Sequence, residues 1–260
     1  MVGAERTQDK RKRQAAQAVT AARGGGGRGS REVIAGVAIV VVLIIVVGVG
    51  LLVQSRNKTG PLGPAIPVAA AGVEYRVAAQ GDTIVTGNPQ APVTIDIYED
   101  FMCPVCGQFE KLYHPRLAQA AADGKAKVVY HPVAILDDRS VPAGYSTLAA
   151  GATLCATQSG IFPRFHDSLY ATQPPEGGQG WTSAQLVQLG RSLGAGGGFE
   201  GCVQTGAQQR VAADTQAASR YISGLSPEHQ FGTPSVLVNG SLIKITDTGW
   251  LDQALSGTRR

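Results

Sequence analysis

The run from Val33 to Val53, VIAGVAIVVVLIIVVGVGLLV, constrains this chain more than any other segment. Its 21 residues include no charged or polar side chain. As an α-helix rising about 1.5 Å per residue it would extend roughly 32 Å, matching a bilayer hydrocarbon core of about 30 Å. Helices buried in a globular core are rarely so long or so uniformly apolar, so a transmembrane helix is expected over 33–53. A cleavable signal peptide also follows a basic segment, but its apolar region covers only about 7–15 residues and a small-residue cleavage site follows closely. Here the flank is Gln54-Ser55-Arg56-Asn57-Lys58, and the first Ala triplet, Ala69 to Ala71, stands well downstream. The expectation is an uncleaved signal anchor.

The same run divides the charge. The formal net charge is +4. Residues 1–32 contain 8 Lys+Arg and 3 Asp+Glu, whereas residues 54–260 contain 15 and 16. The part expected to fold is therefore nearly neutral, which argues against a nucleic-acid-binding domain. The basic run Lys10 to Arg13, with Arg23, Arg28 and Arg31, outweighs Arg56 and Lys58. By the positive-inside rule the N-terminus is expected in the cytoplasm and everything beyond Val53 outside it. The tail 1–32, with its Gly24 to Gly27 run, reads as a disordered topology signal.

Pro61, Pro64 and Pro67 make 54–80 a Pro-rich linker and lead-in, expected to hold a domain off the membrane. The domain proper is placed at 81–260. Val93 to Tyr98 alternates Val93, Ile95 and Ile97 with Thr94, Asp96 and Tyr98, as a half-buried strand does. Pro104 to Ala122 follows as a helix, kinked or split at Pro115. Lys127 to His131 is a second strand. Helical patterns then cover Tyr145 to Gln158, Ile161 to Tyr170, Thr182 to Leu193 and Gln208 to Tyr221, a block placed at about 140–225. Ser235 to Val238, the turn Asn239-Gly240 and Leu242 to Ile245 read as a hairpin, and Asp247 as the cap of a last helix through Leu255. The class is α/β, with a helical block inserted midway.

Four cysteines on the far side of a membrane are expected to pair. Cys103 and Cys106 form CPVC at the start of a helix, directly after a strand. A helix N-terminus favours a thiolate. The i, i+3 spacing puts both sulfurs on one face of the first turn, and Pro104 suits the first helical position. A disulfide in so small a ring favours exchange over bracing. An inert pair and a zinc half-site are the rivals. Zinc needs two more ligands, whereas the four histidines (114, 131, 166 and 229) stand singly in sequence and no second CxxC exists, so no metal is called for. Cys155 and Cys202, 47 apart, read as a structural disulfide, with electron relay as the rival role. Thr233-Pro234, between Phe231-Gly232 and a strand, is a candidate cis bond.

Together these pieces resemble the DsbA-like thiol-disulfide oxidoreductases of the thioredoxin superfamily, from about Gly87 to Leu255. GNPQAPVTIDIYEDFMCPVC resembles the family's first strand and active-site helix, YSTLAAGATLCATQSGIFPRFHDSLYATQPPEG its helical insertion, and FGTPSVLVNG its cis-proline loop. The long anchor and the Cys155/Cys202 pair resemble the membrane-tethered members of high-GC Gram-positive bacteria. The resemblance implies a thioredoxin fold with an inserted helical domain, acting on newly exported proteins. Cys103 would be the exposed attacking sulfur and Cys106 the buried resolving one. Thr233 and cis-Pro234 would face them, the Thr233 backbone pairing with an extended substrate and the proline ring keeping metal from the sulfurs. No cofactor is implied. An integral-membrane quinone-linked oxidase, of DsbB or vitamin K epoxide reductase type, would reoxidise the pair.

The chain departs from the family at two points. Pro104-Val105 lacks the histidine of the strongest oxidants, and Val105 has no donor to offer a thiolate. Ile97 stands where many relatives place a buried acid. Asp96 and Glu99 read as ordinary polar positions of a strand and its end, with proton transfer from Cys106 as the rival role. The competing functions are a disulfide isomerase or reductase, a copper-delivery domain and a redox-inert binding module. Copper delivery is disfavoured by the two-residue spacing and the absence of a placed histidine ligand.

Overall fold

The strand read at Val93 lies inside a six-stranded mixed sheet. Its strands in chain order are β1 (Val77–Gln80), β2 (Thr83–Gly87), β3 (Val93–Glu99), β4 (Ala126–Pro132), β5 (Ser235–Val238) and β6 (Ser241–Leu242), and their order across the sheet is β1-β2-β4-β3-β5-β6. The coordinates are a computed structural model that describes residues 62–205 and 208–257. The basic tail, the 33–53 run and the first part of the Pro-rich segment lie outside the described residues. No helix among the described residues is long and apolar enough to cross a membrane.

β3 and β4 are parallel, with Ile95 opposite Val128 and Ile97 opposite Tyr130; every other neighbouring pair is antiparallel. Parallel neighbours need a crossover, supplied by α1 (Pro104–Ala122). After β4 come α2 (Tyr145–Gln158), α3 (Phe162–Ala171), α4 (Ser183–Ser192), α5 (Gly198–Thr205) and α6 (Gln208–Leu225), before β5 returns to the sheet beside β3; α7 (Trp250–Leu255) follows β6. Because strand side chains alternate between faces, Ile95 and Ile97 share one face and are fully buried there, in one core with Phe109, Tyr113 and Leu117 of α1. Phe162, Phe165 and Leu169 of α3 join that core at helical spacing.

Several expectations need correction. α1 runs unbroken through Pro115, whose exposed position leaves the forfeited carbonyl bond on the solvent side of the helix. β1 and β2 form a hairpin that the sequence reading left in the lead-in and the edge of the domain. Residues 62–76 have no regular structure but are fastened to the inserted helices: Ile66 is buried, Ala69 N–H donates to Ser168 Oγ at 2.9 Å, and Gln185 donates to the Gly63 carbonyl at 2.9 Å. The described part of the Pro-rich segment is thus a strap rather than a spacer.

α5 was not anticipated either. The turn Asn239-Gly240 has both φ angles positive, as a two-residue hairpin requires, but the second strand is only Ser241–Leu242. Asp247 is not the cap of α7. Gly249 is, and Asp247 Oδ1 accepts the Gly249 N–H at 3.1 Å just before the helix.

Candidate active site

Cys103 is the N-cap residue of α1, with extended backbone (φ −75°, ψ 115°), and Pro104 takes the first helical position, where a missing N–H leaves nothing unpaired. The chain is aimed into this helix by Asp100, buried immediately after β3. Asp100 Oδ1 accepts from the Met102 N–H (2.8 Å) and the Ser146 hydroxyl (2.7 Å), and Oδ2 accepts from the Leu136 N–H (2.9 Å). The Asp100 carbonyl accepts the Cys103 N–H at 3.0 Å. Gln173, just after α3, grips the same corner: its Nε2 donates to the carbonyls of Cys103 (2.8 Å) and Phe101 (3.1 Å). The Gln173 amide oxygen lies against Gly107, where a Cβ would collide with it. A side chain from the inserted helices therefore fixes the first turn of α1.

Against the expectation of pairing, both thiols are free, and Cys103, expected to be exposed, is buried at 6% exposure, with Cys106 at 0%. The Thr233–Pro234 peptide is cis, and the Thr233 carbonyl accepts from Cys103 Sγ–H at 3.2 Å. A second cis bond, Val141–Pro142, was not anticipated. The two sulfurs differ electrostatically. Hydrogen bonding from the Cys106 thiol is the largest influence on Cys103 and favours its thiolate; burial opposes it; the backbone of Cys106 and Val105 adds donors. The outcome is a pKa lowered to about 6. The buried Thr233 hydroxyl has no hydrogen-bond partner; the contact between Thr233 and Cys103 is made by the Thr233 carbonyl. Cys106 is pushed well above the ordinary thiol range, first by burial, then by the neighbouring Cys103 and the Glu99 charge. An activated sulfur and one that holds its proton stand one turn apart. Val105 lies between them in sequence, 46% exposed, an apolar surface without a donor.

Glu99 is not an ordinary polar residue at a strand end. It continues the Val93-Ile95-Ile97 face of β3, is buried, and pairs through Oε1 with His166 Nε2 of α3 at 2.9 Å. Burial pushes its carboxyl up, against the pull of His166. Asp96, on the opposite face, pairs with His131 at 3.0 Å, and that ring stacks on Tyr98 with centroids 4.1 Å apart. The histidines are also less isolated in space than in sequence: the rings of His114 and His166 lie 5.4 Å apart.

Cys155 of α2 and Cys202 of α5 form a disulfide, with Cα atoms 5.9 Å apart. Cys155 belongs to the buried core and Cys202 packs against it.

The sequence reading took Asp100 only as an acid near the thiols and missed its hydrogen bonds to the corner, together with Gln173, Gly107 and the burial of Glu99. Only Glu99 carried a usable signal, its register with Val93, Ile95 and Ile97. Gln173 acts from 70 residues away in sequence, so no local pattern identifies it.

The thioredoxin family model matches residues 79–253. The serine/threonine-protein kinase PknE of Mycobacterium tuberculosis is 33% identical over 215 residues, which covers 78% of this chain and 37% of that protein. The chain thus spans little more than a third of the length of that curated relative. Among solved structures, the fold is similar to DsbA from M. tuberculosis in its reduced state, with TM-score 0.52 and 27% identity over 76% of this chain and 100% of that one. It is also similar to MdbA, a thiol-disulfide oxidoreductase from Corynebacterium diphtheriae, with TM-score 0.61 and 23% identity over 71% and 95%.

Proposed function

The chain belongs to the thioredoxin family as a DsbA-like thiol-disulfide oxidoreductase, and from that premise we propose that it introduces disulfides into exported proteins through Cys103 and Cys106. The observation that carries this reading is the split between the two sulfurs: Cys103 lowered to about 6, Cys106 raised well above its ordinary value. Stabilising one thiolate stabilises the dithiol form, which makes the corresponding disulfide a better oxidant.

In the proposed cycle a substrate thiolate attacks Cys103 Sγ of the Cys103–Cys106 disulfide. The Cys103–Cys106 bond breaks, and Cys106 leaves with the electron pair and takes up a proton, as its high pKa favours. A second substrate thiolate then attacks the substrate sulfur of the mixed disulfide, and Cys103 leaves as the stabilised thiolate. The substrate loses two electrons and two protons; the catalyst holds both electrons in its dithiol. An integral-membrane quinone-linked thiol oxidase, of DsbB or vitamin K epoxide reductase type, would take them. Thr233, beside Cys103 on the cis-proline loop, would offer its backbone to an extended substrate chain.

The 33–53 run would anchor the protein, with the basic tail in the cytoplasm and the catalytic domain outside the cell membrane. Cys155–Cys202 would brace the inserted helices without exchanging electrons. The decisive experiment is oxidative refolding of a reduced, unfolded protein. Cys103→Ser should abolish catalysis and Cys155→Ser should retain it while lowering stability. A fully active Cys103→Ser protein would remove the assignment.

A further inference from the structure

Behind the active-site helix, α1 and α3 bring three potential metal ligands together in the interior. Glu110, His114 and His166 each offer one ligand atom, and these atoms lie within 4.8 Å of one another. Glu110 and His114 are four apart on α1, so they share one helix face; His166 reaches them from α3.

The outward nitrogen of each imidazole is already committed. His166 Nε2 meets Glu99 Oε1 at 2.9 Å, and His114 Nε2 meets Asp167 Oδ1 at 3.0 Å. A carboxylate bound to one ring nitrogen fixes the tautomer and turns the other nitrogen inward as a ligand, the arrangement found behind metal-bound histidines. The two inward atoms converge on the Glu110 carboxylate. His114 Nδ1 lies 3.0 Å from Glu110 Oε2.

What the three groups lack is also informative. Neither His166 Nδ1 nor Glu110 Oε1 makes a hydrogen bond; Glu110 Oε2 is engaged by His114 Nδ1, which also lies 3.3 Å from the Tyr130 hydroxyl, and His166 Nδ1 is 3.7 Å from Asp167 Oδ1. Glu110 is 4% exposed and His166 1% exposed. Buried polar atoms are normally paired, and unpaired ones call for an unseen partner. Two imidazoles and a buried carboxylate gathered within 4.8 Å need positive charge among them: a proton on each ring, or a metal ion in place of those protons.

The geometry points to a divalent metal site of the zinc class formed by Glu110, His114 and His166, bracing the active-site helix against the inserted helical domain. Two neutral imidazoles and one carboxylate form a donor set that zinc takes, leaving a fourth position for water or a further oxygen. Glu99, which pairs with His166 and whose charge bears on Cys106, stands between the site and the thiols; the role of the site is structural, and it would tie α1 to α3.

The test uses the full-length protein in detergent, with Cys103 and Cys106 oxidised so that no thiolate can bind metal. After refolding with zinc and exhaustive dialysis, about one zinc ion per chain should remain, as a site coupled to folding requires. Cobalt(II) in its place should give ligand-field bands of nitrogen and oxygen donors in low coordination, with no thiolate charge-transfer band. Glu110→Gln should lower retained zinc at least tenfold. If that variant does not fold, His114→Ala, altering a partly exposed ligand, should do the same. Retention below about a tenth of an ion per chain in the oxidised wild type would overturn the proposal and leave protons as the partners. Undiminished zinc in the folded variant would overturn it as well.

Discussion

Cys103 is activated by contacts that can be removed one at a time. The largest is the hydrogen bond from Cys106, so in Cys106→Ala the Cys103 midpoint should rise from about 6. Thiolate absorbance and the pH dependence of alkylation both report it. The sign for stability follows from linkage. Between about pH 6 and the ordinary thiol value near 9, the unfolded reduced chain holds a proton on Cys103 that the folded chain has released. The reduced protein should therefore gain stability as pH rises through that window and lose it as pH falls through about 6. The oxidised protein has no such thiolate and should not follow. Denaturant titrations of both forms across pH 5–9 would separate them, and parallel curves would refute the assigned thiolate.

The sequence carried the identity of both cysteines, and the CPVC spacing placed them on the first helical turn. It carried nothing of what holds that turn in place. Asp100 has its partners in two other segments and Gln173 reaches back from beyond α3. These contacts exist only after the inserted helices dock. Gly107 is legible as a requirement only once Gln173 is in position. Gly107→Ala should displace Gln173, and Gln173→Ala should strip the Cys103 and Phe101 carbonyls of the same donor. The Cys103 carbonyl keeps the Gly107 N–H at 3.2 Å, so the loss falls on the Phe101 carbonyl, and a buried carbonyl left without a donor costs about 1–3 kcal/mol. The two substitutions remove one interaction, so the double variant should be scarcely worse than either single one, measured as a double-mutant cycle on stability.

At the scale of elements, periodicity served well where one face was buried and poorly elsewhere. α2 begins at Tyr145 and ends at Gln158, the same residues that the apolar pattern delimits. β3 emerged from alternation, and β4 was read as Lys127 to His131, one residue short at each end. By contrast β1, β2 and α5 are short, and their apolar signal is too brief to separate from loop. α5 matters because it carries Cys202, and its disulfide to Cys155 ties it to α2. Cross-linking residues 47 apart should stabilise the fold by about 4 kcal/mol on the chain-entropy account. Replacing both cysteines with Ala should therefore lower the unfolding free energy by that order while leaving the Cys103/Cys106 thiol chemistry intact at low temperature. A loss of oxidative activity without a loss of stability would show that this pair carries electrons instead.

Considered whole, the chain combines a nearly neutral catalytic domain with a basic tail across a 21-residue apolar run. The described domain fastens residues 62–76 along its inserted helices, so the path from the proposed anchor to the active site includes a fixed strap. In the proposed account the protein is an oxidant because Cys103 is held as a thiolate by Cys106 and the backbone at the start of α1. Val105 adds no donor, which distinguishes this site from the strongest oxidants. The most direct test is the reduction potential of Cys103/Cys106, measured by equilibrating the purified protein with glutathione. The account predicts a value on the oxidising side of about −200 mV, between those of protein disulfide isomerase and DsbA or close to them. A value near that of thioredoxin, about −270 mV, would contradict it and mark the protein as a reductant.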